Sequence, residues 1–182
     1  MKKGQQKRLL WAGASLIVLF LGLLGLFLSG KIGDEEGANR FTIGGYTLPR
    51  ALPDYARRDN YTLASYMTAL AMPRALEHIP CYCSCDAAGH ENLADCFLEG
   101  KGFTAHGANC GICKVEAAKA AELLLKGASI KEARALIEQQ FGNGHYGRPT
   151  PTPPIAEDRY LSELAPELDR EAFQRALKEL FE

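Results

Sequence analysis

Residues 9–30 (LLWAGASLIVLFLGLLGLFLSG) run for 22 positions without one ionisable side chain. At about 1.5 Å per helical residue the run is about 33 Å long, enough for a ~30 Å hydrocarbon core. An apolar surface on every side predicts a transmembrane anchor rather than a buried core helix. A cleaved signal peptide competes with this reading. Its apolar part is ordinarily shorter and ends in a small-x-small site, whereas Leu28-Ser29-Gly30 opens on a bulky residue.

Past the anchor the pattern changes. Residues 31–40 are polar and read as a membrane-proximal linker. Phe41 to Leu48 has strand character interrupted by Gly44-Gly45, which predicts an extended arm rather than a sheet. From Thr62 the spacing turns helical, with Leu63, Tyr66, Met67 and Leu70 on one face, a break at Pro73, and a short turn of helix ended at Pro80. Residues 114–126 are rich in Ala and Leu, strong helix formers, and Gly127 is a stop. Ser129 and Glu132 form a capping box ahead of a helix whose face is Ile130, Ala133, Ile137 and Phe141, ended by Gly142. A Gly/Pro stretch follows. Leu161, Leu164 and Leu168 then give a short stripe, and Asp169 opens a last amphipathic helix with Phe173, Leu177, Leu180 and Phe181 on one side. This tail has to dock on the domain or on a partner, since it is too short to bury those residues alone.

The whole predicts an all-α fold, a small helical Cys-rich ectodomain behind a single N-terminal transmembrane helix. In order, residues 1–8 are a basic cytoplasmic flank, 9–30 the anchor, 31–61 a linker and extended arm, 62–142 the helical Cys-rich domain, 143–156 a Gly/Pro linker and 157–182 the amphipathic tail.

Charge gives the chain a direction. The first eight residues hold Lys2, Lys3, Lys7 and Arg8 and no acid, which keeps that end in the cytoplasm and puts the ectodomain outside it. Taking those four from 21 bases leaves 17 against 22 acids for the remainder, a net of −5. That balance argues against nucleic acid as a partner. The membrane, through the N-terminal helix, is the expected contact, with a membrane protein as a second one through the C-terminal tail.

All six cysteines lie between positions 81 and 113, with two histidines among them: Cys81, Cys83, Cys85, His90, Cys96, His106, Cys110 and Cys113. Pro80 disfavours helix at its neighbour, which points to an irregular or extended run. In an extended run Cys81, Cys83 and Cys85 face one way. Three thiolates on one side suit a soft cation, Cu(I) first and Zn(II) second. Asn109 reads as an N-cap, which makes Cys110 the first helical residue, with Cys113 one turn on. The free N–H groups there favour a thiolate, so Cys110 is the expected most acidic thiol. His106 could supply a nitrogen ligand or a proton acceptor beside it. His90 is an even candidate for ligand or proton transfer, His78 a helix-end residue and His145 a solvated one. Tyr82 and Phe97 read as packing around the site.

Other sites fail on residues. Covalent c-type haem needs His directly after the second cysteine, where Lys114 stands. A thioredoxin-like site needs a buried strand where residues 101–109 are polar. Six cysteines in an oxidising compartment also allow 15 disulfide pairings, and a disulfide-stapled domain stays open as an arrangement. The single-residue spacing of Cys81, Cys83 and Cys85 sends each to a different distant partner in that case.

Ile79-Pro80-Cys81-Tyr82-Cys83-Ser84-Cys85, then Gly89-His90, Cys96-Phe97, His106 and Cys110-x-x-Cys113, resembles the bacterial PCYCGC-motif family, also described as CYCxC (seleno)proteins. The resemblance spans about 62–141. It implies a small membrane-anchored or lipoprotein-type extracytoplasmic protein, and selenocysteine in some members implies redox or soft-metal chemistry at these sulfurs. Ser84 and Asp86 replace family glycines, which puts a glycine-only bend there in question. Lys31 replaces the lipobox cysteine, so the helix rather than a lipid would hold the protein at the cell membrane.

The expected function is a single-pass, extracytoplasmic soft-metal binding protein, with Cys81, Cys83 and Cys85 as primary ligands. Cys110 and Cys113 complete the site or form a second one, with Cys96, His90 and His106 as further donors. The alternatives are thiol–disulfide exchange through Cys110 and Cys113, and a disulfide-stapled adaptor subunit of a membrane complex. Binding rather than enzymatic activity is the expected class.

Overall fold

The computed structural model describes residues 41–182, so the expected anchor at 9–30 and its flank lie outside the described residues. Among the described residues no helix is long and apolar enough to cross a membrane. The arm expected at Phe41 to Leu48 is a hairpin instead. Strand β1 (Thr42–Ile43) pairs antiparallel with β2 (Tyr46–Thr47). Gly44 and Gly45 are its turn, with φ of +56° and +79°, the two-residue geometry whose twist suits paired strands. Gly44 is further constrained, because a Cβ there would lie 2.5 Å from the backbone nitrogen of Ala176.

Helix α1 (Asn60–Ala71) is N-capped by Asp59, which accepts from the Thr62 N–H at 2.7 Å. It is buried all round from Thr62 to Leu70, not only on the expected face. Its hydroxyls are satisfied locally: Ser65 donates to the Tyr61 carbonyl at 2.7 Å and Thr68 to that of Ala64 at 2.8 Å. Helix α2 (Pro73–Leu76) follows, with Pro73 at its first turn, where a missing N–H costs nothing. His78, just beyond, was expected to complement the helix end. Burial and Arg159 hold its imidazole below the ordinary histidine range, which disfavours the charged form that role needs.

The cysteine region contains an unexpected second hairpin, β3 (Leu98–Glu99) with β4 (Gly102–Phe103). Helix α3 (His106–Asn109) leads into α4 (Gly111–Leu125), and α5 (Ile130–Phe141) packs on α4 while α4 packs on α1. The capping box of Ser129 and Glu132 is present, and the buried residues of α5 are Ile130, Ala133, Ile137 and Phe141, as the periodicity predicts.

After α6 (Leu161–Leu164), Asp169 caps α7 (Arg170–Phe181). The tail docks on the domain: Phe173 is fully buried and edge-on to Tyr46 at 5.0 Å, and the Asn60 amide donates to the Leu180 carbonyl at 2.5 Å. Phe181 departs from its expected face; it is 52% exposed and leans on exposed Tyr61. The fold is mainly α, with two short hairpins among the described residues.

Candidate metal centre

The Cys81–Cys85 loop has no helix or sheet to shape it, and a distant segment does that work. Residues 148–152 lie alongside it as an extended strap. The Thr150 N–H donates to the Cys81 carbonyl at 2.9 Å, and the Cys81 N–H donates to Thr150 Oγ1 at 2.9 Å. Further along, the Ser84 N–H donates to the Arg148 carbonyl at 3.1 Å and the Arg148 N–H to Ser84 Oγ at 2.9 Å. The glycine-only bend in question at Ser84 is present: its φ is +63°, the one left-handed non-glycine residue described. Its hydroxyl bond to Arg148 offsets the strain of that conformation. Arg134 of α5 fastens the strap, donating to the Pro153 carbonyl at 2.6 Å and the Thr152 carbonyl at 2.9 Å.

Cys85 opens a 3-10 turn over Cys85–Ala88, closed by Gly89 at φ +85°, which returns the His90 N–H to the Cys85 carbonyl at 3.2 Å. Cys96 ends a second turn, Ala94–Cys96, beside fully buried Phe97. Gly107 lets α3 rest on that ring, since a Cβ there would meet Phe97 Cδ1 at 2.4 Å. The expected Asn109 cap is displaced by one residue. Asn109 ends α3, and Cys110 is itself the N-cap of α4, its sulfur accepting from the Cys113 N–H at 3.5 Å.

These turns bring all eight expected side chains together. Cys81 Sγ lies 3.4 Å from Cys83 and 3.5 Å from Cys113, and Cys83 lies 3.4 Å from Cys113 and 3.8 Å from His106 Nε2. Cys85 and Cys96 are 3.6 Å apart, and His90 Nδ1 is 3.5 Å from Cys96. The two imidazoles meet edge to face at 4.6 Å. No pair approaches the ~2.05 Å of a disulfide; all six cysteines are free thiols. Tyr82 and Phe97 are buried, while His145 is exposed and belongs to none of the donor groups.

Crowded sulfurs cannot all ionise, because like charges oppose each other. Cys83 is held below the ordinary thiol range by contact with Cys110, then Cys113 and Cys81. Cys85 is lowered as well, chiefly by Cys113 and Cys81. Cys113 is raised above an ordinary thiol by contact with Cys110, then Cys81, Cys83 and Cys85, and by burial. Cys110, the expected most acidic thiol, is corrected. Its contact with Cys113 favours the thiolate, but contact with Cys83 and burial together push it above an ordinary thiol.

Ordered cysteines, strap and turns span one continuous segment, and a family profile described as a protein of unknown function with PCYCGC motif matches residues 38–155 of it. The chain belongs to that family. No curated protein and no solved structure matches it. The PCYCGC match reaches beyond the 62–141 of the motif resemblance at both ends, taking in the N-terminal hairpin and the strap that binds Cys81 and Ser84.

One residue of the PCYCGC site escaped the motif reading. Glu116 is fully buried on α4, one turn past Cys113. Its Oε1 accepts from the Tyr82 N–H at 2.8 Å, holding the centre of the Cys-Tyr-Cys run, and its Oε2 is buried without a partner among the described residues. Burial pushes this carboxyl up to about 8, against smaller lowering effects from Cys81 and the Tyr82 N–H. The available signal was position: an acid three residues after Cys113 shares its inward helix face.

The donor chemistry fits a soft metal ion. Four groups of three or four Cys and His donors each have all ligand atoms within 4.8 Å of one another. Four sulfurs around one zinc-like ion at ~2.3 Å stand about 3.8 Å apart along tetrahedral edges. The sulfur contacts of 3.4 to 3.6 Å lie just inside that spacing.

Proposed function

We propose that the protein is a membrane-tethered, extracytoplasmic metal carrier that takes up a soft ion at its Cys/His cluster, Cu(I) first and Zn(II) second. One observation carries the reading: six free thiols and two imidazoles converge, in groups whose ligand atoms all lie within 4.8 Å of one another. Soft thiolates select soft cations, and a cation would relieve the repulsion that keeps most of these sulfurs protonated. The apolar run at 9–30 supplies the tether, and the exposed Tyr61–Phe181 pair is the surface the tail would offer a membrane partner.

Cu(I) competition against a chromophoric chelator tests the reading on reduced full-length protein in detergent. Withdrawal of Cu(I) from the chelator, weakening as pH falls because thiols must lose protons, is the expected result. Indifference to Cu(I) and to Zn(II) contradicts it.

Thiol–disulfide exchange is the second reading, and one observation favours it: Cys83 is only half-buried and has the fully buried Cys113 sulfur at 3.4 Å behind it. The Cys83 thiolate would attack a partner disulfide, releasing one partner thiolate. Cys113, giving up its proton, would then attack the mixed disulfide. The partner gains two electrons and Cys83–Cys113 becomes the disulfide. The expected nucleophile thereby moves from Cys110 to Cys83. Loss of model-disulfide reduction in Cys83→Ser, with Cys110→Ser active, is the pattern this reading needs.

A further inference from the structure

The eight donors are too many for one ion, and their grouping is not random. A tetrahedral site uses four ligands and Cu(I) fewer. The cluster contains two four-donor groups: Cys83, Cys110, Cys113 and His106, and Cys85, Cys96, His90 and His106. They share only His106. Cys81 belongs to neither, yet its sulfur falls in one compact trio with Cys83 and Cys85 and in another with Cys96 and Cys113.

We propose that the cluster holds two ions side by side, one on Cys83, Cys110 and Cys113 and one on Cys85, Cys96 and His90, with the Cys81 sulfur shared between them and His106 within reach of both. The inference rests on the metal-binding reading above and gives it a stoichiometry. The alternation in Cys-Tyr-Cys-Ser-Cys acquires a purpose. The middle cysteine serves one ion, the last serves the other, and the first lies between. A doubly shared thiolate also suits full burial, since two cations compensate one sulfur that water cannot reach; Cys81 is fully buried.

The two positions differ in access. A cleft of about 540 Å³ lined by His90, Glu91, Asp95, Glu99, Thr104 and His106 opens on the His90 side. Three carboxyl residues on a cleft wall raise the local cation concentration. The His90 position, whose imidazole lines this cleft, is therefore the one that exchanges through it.

Native mass spectrometry of reduced full-length protein in detergent, loaded with Cu(I) under a competing chelator, tests the assignment. Two Cu(I) per chain are expected in the wild type. His90→Ala, a half-buried position whose loss spares the core, is expected to hold one. The double variant Glu91→Gln/Glu99→Gln is expected to keep two but to exchange one of them several-fold more slowly. One ion at wild-type saturation, or three or more, overturns the two-position assignment and leaves metal binding itself intact. Two ions in His90→Ala overturn the assignment of that ligand, and unchanged exchange in the double variant overturns the cleft's role. No ion at all defeats this inference together with the reading beneath it.

Discussion

Between Cys81 and Asn109 no helix exceeds four residues, whereas α1, α4, α5 and α7 run for 12 to 15. The long helices bury apolar faces against one another, and area removed from water holds them. The cysteine region buries few large aliphatics of its own. Point contacts shape it: the strap's bonds to Cys81 and Ser84, the Glu116 bond to Tyr82, and the wedge of Phe97. The helical frame is thus self-sufficient, while the site region is stabilised one bond at a time and stands to gain most from an ion. Removing metal should leave helical circular dichroism intact and raise amide exchange between Cys81 and Asn109.

The largest expected effect comes where the two regions meet. Phe97 is fully buried, edge-on to Tyr66 of α1 at 5.2 Å and beneath Gly107. Phe97→Ala should cost about 3–5 kcal/mol in denaturant unfolding. A loss under ~1 kcal/mol would mean that the regions are not joined there.

Next is a pH effect from the same frontier. Glu116 ionises near 4.5 when unfolded and about 8 when folded. Between those values the folded chain binds more protons, so this residue's stabilising contribution is complete below pH 4.5 and is lost as pH rises towards 8. The full change is on the order of a few kcal/mol. Glu116→Gln keeps an acceptor for the Tyr82 N–H and cannot ionise. The stability of wild type relative to this variant should therefore fall across that window. A pH-independent difference would refute the buried, neutral carboxyl.

Smaller still is the strap. Thr150→Val leaves the Cys81 N–H unpaired and should cost about 1–3 kcal/mol, together with a measurable loss of Cu(I) affinity. Smallest is Asp59→Ala in the frame, about 1 kcal/mol for a lost helix cap, with Cu(I) affinity unchanged. If the cap variant weakened metal binding as much as the strap variant, the separation of frame from site would fail.

The same divide governs what could be read from the residues alone. The faces of α5 and the caps at Ser129 and Asp169 followed from local periodicity and local hydrogen bonds, which sequence spacing encodes directly. The eight donors were legible as a set because thiol and imidazole chemistry narrows their roles. Their arrangement was not. The strap reaches Cys81 across 69 residues, and no local signal couples Thr150 to that loop. Gly44-Gly45 reads equally well as a strand breaker and as a hairpin turn, and the packing of α7 decides between them. Helix position alone makes Cys110 an acidic thiol, but the loop brings the Cys83 sulfur beside it, and that contact and burial raise Cys110 while Cys83 is lowered.

Metal content measured together with thiol reactivity decides whether these sulfurs are metal ligands. Full-length protein isolated anaerobically in detergent should carry soft metal and resist alkylation, and all six thiols should react once a chelator strips the ion. Metal-free protein whose six thiols alkylate at once, or whose cysteines are paired in disulfides, would contradict the account.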